Sequence, residues 1–185
     1  AGKLAQAAHA ACLANLQACE QLEQLADCSL IIEAIVENLD IKRELLKNLE
    51  SLCRPDCILA SNTSSLSITS LGAQLQRPER LAGLHFFNPA PVMALVEIVS
   101  GLATDPQVAT TLYDTAANWG KKPVHTCSTP GFIVNRVARP FYAESLRLRQ
   151  EGIADCATLD ALTREAGGFR MGAFELTDLI GHDVN

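Results

Sequence analysis

The 185 residues carry 15 Lys and Arg against 21 Asp and Glu, a formal net charge of −6, and 48% of them are hydrophobic. That length suits one ordinary domain or two small ones and is ample for a core. The mild acidity argues against a nucleic-acid or anionic-membrane surface, each of which needs a basic stripe. No apolar run approaches the roughly 18 residues of a membrane span; the best, residues 30–36, is interrupted by Glu33. The seven cysteines are an odd number and lack paired zinc spacing, since Cys53 and Cys57 have no second pair near them, so no metal site is expected. They fit small buried residues in a reducing, cytoplasmic setting.

Residues 1–12 are alanine-rich with a helical pattern, without the basic and apolar blocks of a signal peptide. The chain opens on Ala1 and not on methionine, so a longer parent protein is expected. Residues 29–36 are β-branched and apolar nearly throughout, which predicts a strand buried on both faces. Asn38 or Asp40 can cap the helix that follows, with Ile41, Leu45, Leu49 and Leu52 as its predicted buried stripe. Residues 56–60 make a second strand, ending in the hydroxyl-rich turn 61–65. Residues 81–87 make a third, stopped by Asn88-Pro89, and residues 94–100 a fourth. Asp105-Pro106 starts a helix with Val108, Leu112, Ala116 and Trp119 inward, and Gly120 ends it. Residues 124–127 form a last short strand. Strands alternating with helices predict an α/β fold with a mostly parallel sheet covered on both faces.

After Thr129-Pro130-Gly131 the texture becomes helical. Helices are predicted over residues 132–150, with a kink at Pro140, over 160–166 and over 173–180. The division is therefore an α/β domain at 1–128 and a helical domain at 129–185.

Two polar residues intrude on apolar strands: His85 in Leu-His-Phe-Phe and Glu97 in Leu-Val-Glu-Ile-Val. A carboxylate in a buried strand costs several kcal/mol unless paired or protonated. The nearest partner in sequence is that histidine, and the turn at Asn88-Pro89-Ala-Pro91 is long enough to make the two strands neighbours. A histidine held by a carboxylate has a fixed tautomer and suits proton abstraction. The alternative is a core histidine on a backbone carbonyl and a glutamate on an exposed edge. The 61–65 turn follows a strand's carboxyl end, the ligand side of open α/β sheets. Its hydroxyls and N–H groups either bind an oxyanion or cap the next helical turn. Asn135 points at a ligand or at a loop. Glu37 occupies a ribose-facing type of position or a solvated one, and Lys42 is by default a surface charge. No G-x-G-x-x-G and no Walker A loop is present, and Gly167-Gly168 reads as a connection between helices.

Ile32-Glu-Ala-Ile-Val-Glu-Asn38, Ser61-Asn-Thr-Ser-Ser-Leu66, Gly83-Leu-His-Phe-Phe-Asn-Pro89, Pro91-Val-Met93 and Leu95-Val-Glu97 stand in one order with Thr129-Pro-Gly-Phe-Ile-Val-Asn-Arg136 and Phe174-Glu-Leu176. From about residue 25 onward the chain thereby resembles the L-3-hydroxyacyl-CoA dehydrogenase family, above all its bacterial 3-hydroxybutyryl-/3-hydroxyadipyl-CoA type. The resemblance implies an incomplete, doubly wound Rossmann-type domain followed by a truncated all-helical dimerisation domain. It implies NAD-dependent oxidation of L-3-hydroxyacyl-CoA to 3-oxoacyl-CoA in fatty-acid or phenylacetate degradation, and a homodimer formed through the helices. By position, His85 matches the base that takes the 3-hydroxyl proton and Glu97 the acid that orients it. Ser64 and Asn135 match the groups that hold the substrate oxygen, with Ser64 also beside the acyl-CoA. Glu37, Lys42 and Asn88 match residues lining the nicotinamide-ribose side of NAD.

Three departures accompany the match. The family's N-terminal strand, glycine loop and helix are missing, together with its adenosine-ribose acid and basic CoA contacts. The chain alone is therefore expected to bind NAD poorly, and the activity to belong to the parent. Arg170-Met171-Gly172-Ala173 replaces Pro-Met-Gly-Pro, removing a source of loop rigidity, and Ala94 replaces a common Lys. Truncation is also expected to expose Leu176, Leu179 and Ile180. A non-catalytic, crystallin-like relative is the alternative function, which retention of Ser64, His85, Glu97 and Asn135 opposes. A β-hydroxyacid dehydrogenase with a lysine base is opposed by Asn135 and Arg136, which stand where that lysine would be.

Overall fold

Among the described residues five strands form one sheet in chain order: β1 (Leu30–Glu33), β2 (Ile58–Ser61), β3 (Leu81–Phe86), β4 (Leu95–Ser100) and β5 (Lys122–Cys127). Three of the four pairings are parallel, and β3 against β4 is antiparallel. The chemistry of the connections explains the difference. Parallel neighbours need a crossover of a dozen or so residues, which α2 (Leu39–Leu52), α3 (Ile68–Gly72) and α4 (Pro106–Asn118) supply. The short 87–94 connection permits only a reversal. This computed structural model describes residues 5–181, and the chain divides into two compact units, residues 1–128 and 129–185.

In the first unit, Ala60, Ala82, Leu84, Val96 and Ile98 of the central strands pack on Ala109, Leu112 and Ala116 of α4. On Gly83 a Cβ would lie 2.7 Å from that of Val99 and 3.1 Å from Ile68 Cδ1, so only glycine fits β3 beneath α3. The alanine-rich start forms α1 (Gln6–Ala14). Asn38 caps α2, accepting from the N–H groups of Asp40 and Ile41. Asp105 caps α4 with Pro106 in its first turn, and Gly120 takes the left-handed φ of 76° just beyond it.

Several sequence expectations shift. α2 buries Lys42, Leu46 and Leu49 while Ile41 is exposed, because the helix turns Lys42 toward a buried acid. β1 is an edge strand among the described residues and stops at Glu33. It is not buried on both faces, for Ile32 is 37% exposed and Ile35 and Val36 are exposed as well. Trp119 is half exposed beyond the end of α4; Ala109 takes its place inside, and the indole stacks on Phe86 at 6.4 Å between centroids.

The second unit holds α5 (Val134–Gln150), α6 (Cys156–Glu165) and α7 (Ala173–Ile180), packed pairwise. α5 opens at Val134, since Phe132 has a φ of 47° that no helix interior allows, and it contains Pro140. α6 starts four residues before its predicted position because Asp155 caps it through the Thr158 N–H. The loop lacking the two prolines is tied down in another way. Glu175 accepts from the Gly172 N–H at 2.8 Å and pairs with Arg164, and buried Asp160 accepts from Phe174 and Glu175 N–H at 2.8 and 3.1 Å. Leu179 and Ile180 are exposed as expected, whereas Leu176 is partly covered. No helix among the described residues is long and apolar enough to cross a membrane, and none of their His, Cys, Asp and Glu clusters has a metal-holding arrangement.

Candidate active site

The antiparallel register sets His85 directly opposite Glu97. β4 lies between β3 and β5, and the Glu97 side chain is 0% exposed. His85 Nδ1 lies 2.7 Å from Glu97 Oε2, and the pair is buried. An ionised carboxylate only accepts, so against ionised Glu97 the proton of this bond sits on Nδ1. The Phe87 ring stands 4.5 Å from the imidazole and helps fix its plane. The exposed-edge alternative for Glu97 is thereby excluded.

A second cluster gathers at the carboxyl ends of β1 and β2. Lys42 Nζ donates to Glu33 Oε1 and Oε2 at 3.0 and 2.9 Å and to the Ile35 carbonyl at 3.2 Å, and lies 3.3 Å from Glu37 Oε2. Its side chain is 1% exposed, so Lys42 is no surface charge. The Ser61 hydroxyl donates to Glu33, and the Thr63 hydroxyl to Glu37. Burial works to raise the Glu37 carboxyl. The Thr63 hydroxyl, the Lys42 charge and the Ser64 N–H outweigh it and hold the group below the ordinary glutamate value.

The 61–65 turn therefore does not offer its N–H groups to an oxyanion. Thr63 N–H goes to Ser61 Oγ, Ser64 N–H to Glu37, and Ser65 and Leu66 N–H to Thr63 Oγ1. What the turn has to present is side chains. Asn62 Oδ1 accepts from the Phe86 N–H at 2.9 Å and so ties this loop to the strand that bears His85. Sequence reasoning missed Asn62 and Glu33. Glu33 did leave a signal, as the one acid in the first apolar run with a lysine nine residues on. Asn88 lies exposed just past β3, and Asn135 sits in the first turn of α5, in the second unit. Near Ala94, Lys121 Nζ donates to the Ala90 and Met93 carbonyls, so an ammonium still rests on that segment.

Family profiles, curated relatives and solved structures match the chain. Residues 1–129 match the family profile of the 3-hydroxyacyl-CoA dehydrogenase NAD binding domain, and residues 131–185 that of its C-terminal domain. The chain is 54% identical over 164 residues to a 3-hydroxyadipyl-CoA dehydrogenase of Escherichia coli K12, spanning 89% of this chain and 34% of that protein. It is 40% identical over 183 residues to a 3-hydroxybutyryl-CoA dehydrogenase of Clostridioides difficile, spanning 99% of this chain and 65% of that one. The crystal structure of 3-hydroxybutyryl-CoA dehydrogenase from Escherichia coli K12 superposes with a TM-score of 0.96 at 50% identity, over all of this chain and 39% of the other. The chain thus spans between a third and two thirds of these relatives.

Proposed function

The chain belongs to the 3-hydroxyacyl-CoA dehydrogenase family, and on that premise we propose that it serves an enzyme oxidising L-3-hydroxyacyl-CoA to 3-oxoacyl-CoA with NAD. The observation that carries this function is the buried 2.7 Å pair of His85 and Glu97. His85 Nε2 takes the proton of the substrate 3-hydroxyl, and Glu97, holding Nδ1–H, stabilises the imidazolium that results. Ser64 and Asn135 are assigned to the substrate oxygen, which they hold in place for proton removal.

The residues fit the nicotinamide-ribose side of NAD. Glu37 offers a half-exposed carboxylate, held ionised, at the carboxyl end of a parallel strand, where hydroxyl donors of a ribose are met. Asn88 adds an exposed amide past β3. NAD, when bound, supplies the hydride acceptor. Homodimer formation through the helical unit is part of the proposal. It is supported by exposed Val137, Leu179 and Ile180 and by an apolar groove of about 630 Å³ lined by Ile133, Phe141 and Phe169. Seven free thiols fit a reducing, cytoplasmic setting.

The test is kinetic. In the protein that carries this sequence, acetoacetyl-CoA should consume NADH, followed by its absorbance. His85→Gln should lower kcat by roughly 10²–10⁴, the range for a lost general base. Glu97→Gln should lower kcat with little change in KM, because Glu97 touches no substrate. Near-parental turnover in His85→Gln would remove the mechanism.

A further inference from the structure

The connection at 87–94 joins the strand of His85 to the strand of Glu97, and residues 88–94 are exposed throughout. From within, it is closed by the Val92 and Met93 N–H groups, which both donate to the Pro89 carbonyl, at 2.9 and 3.0 Å. Pro89 and Pro91 carry no N–H to add to these. Two hydrogen bonds in an exposed turn hold it weakly, because water competes for the same groups and local opening there is cheap. The place of this turn, and of Asn88 at its start, has to be fixed from outside.

The segment that follows α4 does this. Lys121 N–H closes back on the Ala116 carbonyl at 3.1 Å just past the left-handed Gly120, which fixes where the Lys121 side chain begins. Its Nζ donates to the Ala90 carbonyl and, at 2.9 Å, to the Met93 carbonyl. One ammonium so clamps the two halves of the turn together, and the Lys122 N–H holds the Ala94 carbonyl at 2.7 Å at the root of the connection. We propose that Lys121 is a positioning residue of the site. Through the Ala90 and Met93 carbonyls its ammonium sets the place of residues 88–94, and with them the Asn88 amide, toward the nicotinamide-ribose part of NAD. The part played by Asn88 rests on the dehydrogenase function proposed above; the tether on the turn does not.

Lys121→Met, made in the protein that carries this sequence, keeps an apolar stem and removes the donors; the side chain is partly exposed, so the fold should survive. Hydrogen exchange of the Val92 and Met93 amides should accelerate roughly three- to tenfold, the size of a partly exposed charge-assisted hydrogen bond. The KM for NADH should rise by a similar factor with kcat nearly unchanged, since a misplaced Asn88 weakens cofactor binding and leaves the His85–Glu97 pair alone. Lys121→Arg keeps a cation with several donors and should bring both readouts most of the way back. Parental exchange at Val92 and Met93 in Lys121→Met overturns the proposal, as does a loosened turn with a parental KM for NADH. A loosened turn in a protein whose parental form neither binds NADH nor oxidises acyl-CoA would sink the dehydrogenase function and leave the tether standing.

Discussion

Glu97 and Glu33 are both carboxylates set in apolar strands, and the fold answers them with different bases. Glu97 meets an imidazole, a ring whose nitrogens can either donate or accept. Glu33 meets an ammonium, which only donates, and shares it with the Ile35 carbonyl. Glu37 lies between the two cases, half exposed and held below the ordinary 4.5 of a glutamate against the opposing pull of burial. A carboxyl whose folded pKa is depressed contributes stability that is present above its unfolded value and is lost as pH falls through the folded one. Glu37→Gln should therefore be less stable than the parent at pH 7, by about 1 kcal/mol or less because solvent screens the exposed side chain. The gap should close as pH drops below 4.5. Urea unfolding of both proteins between about pH 7 and pH 3 checks this, and a gap that stays constant throughout would contradict it.

At the scale of elements, α7 shows how one helix start depends on its neighbour. Its N-cap, Gly172, has no side chain to accept the N–H groups of the first turn, and Asp160 of α6 accepts two of them instead. A Cβ on Gly172 would lie 2.2 Å from the Asp160 carboxylate, which is buried and held by those two bonds. Asp160→Ala should cost about 1–2 kcal/mol, the worth of a lost cap, and Gly172→Ala about 1–3 kcal/mol from forced overlap. Equilibrium denaturation measures both, and an unperturbed Gly172→Ala would show that the carboxylate can yield. This tie was not legible in the sequence, because Asp160 and the N–H groups it serves are separated by a loop. The same limit explains the other misses. The phase of α2 was misjudged because Lys42 counts as a surface residue until its partner Glu33 is known, and the hydroxyl-rich turn looked open until Glu37, 27 residues before Ser64, took its N–H. Local signals did carry far. The Asp105 and Asn38 caps state their outcome within a few residues, and the His85–Glu97 spacing gave the observed pair as one of two readings.

Across the whole molecule, the two units differ in how much core each can close. Residues 1–128 hold, among the described residues, a five-stranded sheet whose middle strands are mostly buried, and they expose apolar side chains near β1 (Ile32, Ile35, Val36) and elsewhere (Leu16, Val92, Leu102). The described residues of the second unit make three helices with few fully buried apolar side chains, beside an open groove of about 630 Å³. Fewer than about 60 residues bury too small a share of their surface to be secure without further contacts. Expressed separately, residues 1–128 should unfold in urea as one cooperative transition seen alike by fluorescence of Trp119 and by circular dichroism. Residues 129–185 alone should show helical signal without a sharp melt, and that signal should rise with concentration as exposed Val137, Leu179 and Ile180 find partners. A sharp, concentration-independent transition in the short piece would mean that three helices suffice, and that the exposed apolar face contributes nothing to assembly.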